Sequence, residues 1–418
     1  MSIRRFLGPY QHLSNSIFII FFARMVNSAG HFVMPFMVMF LRDKIGLNPE
    51  QTGYYMMLAA FAYVPGSIAG GKLADILGRK RIFILFQSLA ACSFIPCAFL
   101  ESSMLIPWLL ILSSFFSGAA GPANSAMVAD LTKSTNRKEA YSLLYMGHNL
   151  GFAIGPLAAG FLYRNYLPWI FIGDAFTSFV SIFLVAKFIP ETKPDLEKKE
   201  IHEELSHNEH AETGSFIAAL LKRPVLCIFM LMIALYSFIY VQHHFTLPLQ
   251  LEEVFGEKDA SYYGMIMTTN ALTVVFCTTL VTHLTLKLKP IFCVGLGGLF
   301  YGIGFGMLFG INHFYLYILS TFIWTLGEIL VSTNGMAFVA NNTPVSHRGR
   351  FNAIFPIIAE AGHAVGPYLT GKYLLSHSLR SVWRLAFFGS LSVACLLFLL
   401  QMMESMRSPE INREQEQI

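Results

Sequence analysis

Residues Gly71–Arg81 read GKLADILGRKR, four basic side chains and one aspartate set between two long apolar runs. The contrast is sharp because charge is scarce elsewhere. A soluble chain carries about 25% charged residues, whereas this one of 418 residues carries 13%, with 55% hydrophobic and 14% aromatic side chains. The solvent for most of such a chain is lipid.

Working outward from the turn, stretches long enough to cross roughly 30 Å of hydrocarbon recur twelve times. Spans 1 to 6 run Asn15–Leu41, Gln51–Gly70, Ile82–Leu100, Leu105–Val128, Ala140–Tyr163 and Leu167–Ile189. Spans 7 to 12 run Val225–Leu249, Tyr262–Leu286, Ile291–Ile311, Phe314–Val339, Phe351–Leu375 and Ser381–Met403. All are expected to be helices, since an open strand edge in lipid leaves backbone groups unpaired. The fold class is therefore an all-α membrane protein with twelve transmembrane helices. Arg4 and Arg5 before span 1 imitate a signal peptide, but Arg24 interrupts the apolar run and no small-residue cleavage site follows.

With an even number of spans both termini share one side. Placing them in the cytoplasm puts 21 of the 29 lysines and arginines on that side and seven on the other, with Arg24 inside a span. The bias sets the expected orientation, and the charged turn is a cytoplasmic loop. The six cysteines all lie in apolar segments without a CxxC pair and are read as packing residues.

A repeat fixes the organisation. AMVADLTKSTNRKEA from Ala126 aligns with AFVANNTPVSHRGRF from Ala337 at an offset of 211 residues, which also pairs Gly155–Gly160 with Gly366–Gly371 and Gly53 with Gly264. The chain thus divides into two six-helix pseudo-repeats, residues 1–189 and 225–418, joined by a charged cytoplasmic linker over 190–224. Its eight acids and five bases between Glu191 and Arg223 mark a solvated connector, and His202, His207 and His210 there are not read as a metal site. Two parallel repeats are an architecture of secondary transporters, and no Walker motif supports an ATP-driven pump.

Gly71, Leu73, Ala74, Asp75, Gly78, Arg79 and Lys80 resemble the loop between helices 2 and 3 of the major facilitator superfamily, and the twelve spans, the half repeat and Pro190–Thr192 after span 6 extend the resemblance over the whole chain. Gly71 and Gly78 permit tight turns. The resemblance implies a conformational latch, in which Asp75 packs against the start of span 11 and Arg79 pairs with Asp130. The alternative is a merely topogenic basic loop. Gly147, Gly151, Gly155, Pro156 and Gly160 in span 5 resemble the superfamily's antiporter motif, with Ala159 in place of one glycine; generic small-residue packing is the plainer reading.

Ionisable residues inside spans are costly and are functional candidates by default. Arg24, Asn27, Ser28, His31 and Pro35 share one face of span 1, and Thr321, Thr325, Glu328, Ser332 and Gly335 one face of span 10. Span 11 carries Glu360 and His363. Arg24, Glu328 and Glu360 each lie roughly 14–16 Å from the cytoplasmic ends of their helices, near the midplane. They are expected to line the substrate and proton pathway, with Gln242 and Asn270 adding polar contacts; a structural ion pair neutralising Arg24 is the alternative. His243 and His244 are read as interfacial, and Asp174 as a cap or interfacial contact.

The superfamily's drug exporters usually carry an arginine in span 4 where this chain has Ser114, and many exporters of cationic drugs bear an acid in span 1 where it has Arg24. Glu328 is left as the best protonatable group, and a cavity arginine suits an anionic or zwitterionic substrate. The expectation is a monomeric, multi-pass carrier of a bacterial inner membrane, exporting a small organic solute or drug against protons by alternating access. The alternative is a proton-coupled metabolite, siderophore or peptide transporter, with import as an option, although the peptide transporters' ExxER pattern is absent from span 1. Neither an enzyme activity nor a cofactor, metal or nucleic-acid partner is expected.

Overall fold

The computed structural model describes residue 10 and residues 12–133, 136–192, 224–341 and 348–415. Most of the 190–224 linker, with its three histidines, lies outside these residues. Every described regular element is a helix, and the helices follow the twelve spans closely. Eight stretches are long and apolar enough to cross a bilayer, one of them, Pro224–Thr285, holding spans 7 and 8 together. Spans 2, 5 and 11 are helical as well, over Pro49–Leu77, Arg137–Leu162 and Arg348–Tyr373, but carry more small and polar residues. Large apolar side chains such as Phe176, Phe276 and Tyr315 are exposed, as helices solvated by lipid require.

The described residues fall into two compact units, one drawn from Met1–Glu204 and Leu247–Val275, the other from Leu205–Thr246 and Phe276–Ile418. The C-terminal end of span 7 and most of span 8 therefore belong with the first unit, a different partition from the sequence halves. Within the first unit span 1 packs on spans 5 and 6, and span 3 on spans 4 and 6; within the second, span 7 packs on spans 11 and 12, and span 9 on spans 10 and 12. These four pairings repeat at the 211-residue offset.

The repeat extends to a defect that hydropathy does not show. Span 1 is two helices, Asn15–Ala29 and Val33–Asp43, and span 7 is likewise two, Pro224–Tyr240 and Gln242–Phe255. Gly30 opens the first break and Val241 occupies the second, one offset apart. A break frees backbone amides that lipid cannot satisfy. In span 1 the buried Asp174 of span 6 takes two of them, accepting from the Phe32 and Val33 N–H groups at 3.2 Å each. Asp174 is therefore a cap, one of its two expected roles, but for the interior of span 1. The equivalent position in the second half is Leu385, which cannot accept such bonds. Asp174→Ala is expected to cost on the order of 2–4 kcal/mol, read as a lower midpoint in thermal unfolding in detergent, with Asp174→Asn losing less. An unchanged midpoint for both would remove the cap from the account.

Candidate functional site

A polar cavity of about 230 Å³ opens inside the first unit. The face predicted for span 1 supplies Arg24, Asn27, Ser28 and His31, while Gln87, Asn124, His148 and Ser181 come from spans 3, 4, 5 and 6. Ser28 Oγ lies 2.7 Å from His148 Nδ1, and Asn27 Oδ1 accepts from Ser178 Oγ at 3.1 Å. The His31 and His148 rings meet edge to face at 6.4 Å. No aspartate or glutamate lines the cavity, and among the described residues Arg24 forms no ion pair. Sequence reasoning missed His148, Gln87, Asn124 and Ser181. For His148 the signal was present, an imidazole within a motif read only for its glycines.

A second cavity, of about 310 Å³, lies inside the second unit and joins Glu328 and Glu360 as lining residues. Ser332 and Gly335 of span 10 share it, with Tyr236, Ser237 and Tyr240 of span 7 and Tyr301 of span 9. Thr321 and Thr325, expected on the same face, are instead buried in packing and donate to the carbonyls of Tyr317 and Thr321 at 2.8 and 2.6 Å. Gln242 is also outside the lining; its amide donates to Phe238 O at 3.0 Å, and its Oε1 accepts from Thr246 Oγ1 at 2.7 Å. Asn270 is buried in span 8, in the first unit, and lines neither cavity. His363 stands 6.1 Å from the His244 ring. His243, read as interfacial, is 2% exposed and packs between Tyr240 and Trp324.

The charged turn departs from expectation at Gly71. Span 2 stays helical to Leu77, so Gly71 makes no turn, and a Cβ there would meet only Pro122 Cβ at an ordinary 3.7 Å. Gly78 alone joins spans 2 and 3, at φ +105°, a backbone setting that favours glycine. Arg79 forms an ion pair with Asp130 and lies 3.8 Å from Asp75. Glu191 of span 6's trailing segment accepts from the Lys80 and Arg81 N–H groups at 3.0 and 3.2 Å. A carboxylate there satisfies orphan amides and faces the positive end of the span 3 dipole. The side chains at the start of span 11, the other proposed partner of Asp75, lie outside the described residues.

The glycines of span 5 seat it against two neighbours. A Cβ at Gly151 would lie 2.2 Å from the Met25 carbonyl oxygen, and one at Gly155 3.0 Å from that of Ser28, both on span 1. Gly147 faces Phe21 of the same helix, while Gly160 and the Pro156 carbonyl face Ala260 and Gly264 of span 8. Gly362 of span 11, one offset from Gly151, meets the Ala234 carbonyl of span 7 at 2.0 Å in the same sense. The far end of span 5 is tied by charge. Arg164 Nη2 lies 2.7 Å from Asp259 Oδ1, Arg42 lies 3.3 Å from Glu252, and Tyr163 donates to Asp43 at 3.2 Å. Burial disfavours the Arg164 cation, but the hydrogen bonds and charge of Asp259 outweigh it and hold its pKa above the ordinary value. Among the described residues no group of three or more His, Cys, Asp or Glu is placed to hold a metal.

The family model for the Major Facilitator Superfamily matches residues 16–262 and 257–417. An uncharacterized MFS-type transporter of Bacillus subtilis, YhjO, is 25% identical over 363 residues, covering 85% of this chain and 86% of that protein. A Na(+), Li(+), K(+)/H(+) antiporter of Planococcus maritimus is 22% identical over 82% of this chain and 85% of its own length. The multidrug resistance protein MdtH of Salmonella typhimurium is 29% identical over 39% of each chain. Among solved structures, a mutant of the peptide transporter POT superposes with a TM-score of 0.76 at 17% identity, covering 93% of this chain and 94% of that one.

Proposed function

This chain belongs to the major facilitator superfamily and is a multi-pass membrane transporter of small molecules rather than an enzyme, and on that premise we propose that it exchanges a small organic solute for protons by alternating access, in the direction of efflux. The single observation that carries the reading is the division of labour between the two cavities. One holds an arginine and no carboxylate; the other holds two carboxyl groups, Glu328 and Glu360, at mid-span. Glu328 is the coupling carboxylate, taking up and releasing the exchanged proton, with Glu360 beside it and His363 on the same helix.

Antiport is supported by the glycine and proline pattern of span 5, which seats that helix tightly on spans 1 and 8, and by the named activity of the Planococcus relative. The excess of lysine and arginine places both termini in the cytoplasm, with the Asp75–Arg79–Asp130 cluster as the cytoplasmic latch. In vesicles containing the purified protein, an imposed pH gradient is expected to drive accumulation of a solute identified by counterflow. Accumulation that survives collapse of the gradient by a protonophore would overturn proton coupling. The same vesicles carrying Asp75→Asn are expected to exchange solute several-fold more slowly, and an unchanged rate removes the latch.

A further inference from the structure

Arg24 is a permanent cation near the middle of a membrane span, a placement that normally demands a partner. Among the described residues it has no ion pair and no hydrogen bond, and the walls around it carry no carboxylate: beside apolar side chains they offer amides, hydroxyls and the imidazoles of His31 and His148. Two of those walls are already held in place, Asn27 by Ser178 and His148 by Ser28. A site so arranged is pre-organised for something that supplies one negative charge and several acceptor atoms.

We propose that this cavity binds the carboxylate of a small organic acid, with Arg24 as the charged anchor and Asn27, Gln87, Asn124 and His148 as hydrogen-bonding walls. The inference deepens the transport reading and rests on it. The planar guanidinium fork matches a carboxylate in two parallel hydrogen bonds. Charge selects the class: one guanidinium without a second lysine or arginine in the lining matches a monoanion, whereas a phosphate dianion would leave one charge unmatched at low dielectric. Size narrows it further. A cavity of about 230 Å³ falls below the roughly 300–1,000 Å³ of sites for drug-sized ligands, so it holds a compact acid or the acidic end of a longer molecule.

The probe is benzoate, measured beside benzamide and benzylamine, which keep the ring while neutralising or reversing the charge. The readout is the unfolding temperature of the purified full-length protein in detergent. Acetate, phenylacetate and butyrate, each with its amide and amine, extend the series. Carboxylates are expected to raise the unfolding temperature in a saturable way, while the amides and amines do not. Arg24→Gln should raise the half-saturating concentration at least about tenfold, as loss of a charge-assisted contact implies, with Arg24→Lys intermediate. Should Arg24→Gln fail to fold, Gln87→Leu, which keeps the cation, should weaken binding by a smaller factor. A series in which no carboxylate outperforms its amide and amine, or a carboxylate response that survives Arg24→Gln, overturns the proposal. Carboxylate stabilisation without solute exchange in vesicles would sink the transport reading and leave the anion site standing; exchange confined to amines and neutral solutes would do the reverse.

Discussion

In Glu328→Gln, accumulation driven by a pH gradient is expected to fall to the level of vesicles without protein, while exchange of labelled for unlabelled solute continues. Glutamine keeps the volume of the side chain and much of its hydrogen bonding, but it has no proton to give or take. One pH unit is worth about 1.4 kcal/mol per proton, so one-for-one coupling supports about tenfold accumulation and the variant should return to unity. Glu328 shares its cavity with Glu360, Tyr236 and Tyr301, and the two carboxyl groups lie on different helices. Full accumulation in Glu328→Gln would therefore move the coupling to Glu360, whose own glutamine variant should then carry the defect.

Gly151→Leu should abolish transport altogether. The obstacle is backbone: a Cβ at this position would lie 2.2 Å from the Met25 carbonyl oxygen and 2.8 Å from the Ala29 amide nitrogen, neither of which can rotate aside. Spans 1 and 5 would have to part, displacing Ser28 from His148 and opening the floor of the Arg24 cavity. Overpacking of this kind costs about 1–3 kcal/mol or more, so the unfolding temperature should fall together with activity. Gly362→Leu should behave alike through the Ala234 carbonyl at 2.0 Å, whereas Gly71→Ala, with only Pro122 Cβ at 3.7 Å, should be tolerated. Normal exchange by Gly151→Leu would show that close approach of spans 1 and 5 is dispensable.

These expectations show where the sequence is informative and where it falls silent. Hydropathy located the spans because the cost of unsatisfied backbone in lipid leaves helices as the solution, and span 4, expected over Leu105–Val128, runs Leu105–Asp130. It misplaced the end of span 2 at Gly70 because charge terminates an apolar run without terminating a helix, which continues to Leu77. The breaks in spans 1 and 7 were invisible to it, since they are backbone events that leave the mean hydropathy of each span high even though polar residues such as His31 and Gln242 stand beside them. Helical spacing brought Arg24, Asn27, Ser28 and His31 to one cavity and Glu328, Ser332 and Gly335 to another. Spacing failed for Thr321 and Thr325, because a hydroxyl in a helix can spend its hydrogen bond on the preceding turn. Arg42 and Arg164 were scored only as loop charges; their pairing with Glu252 and Asp259 depends on contacts between residues far apart in the chain.

The most direct measurement of proton exchange is lumenal pH in vesicles loaded with a pH-sensitive dye, recorded as a solute already found by counterflow is added outside. Inward movement of solute against outward movement of protons should raise the lumenal pH, and Glu328→Gln vesicles should show no such rise. A lumen that acidifies on solute entry would make the protein a symporter, and an unchanged pH during demonstrable exchange would mean that protons take no part.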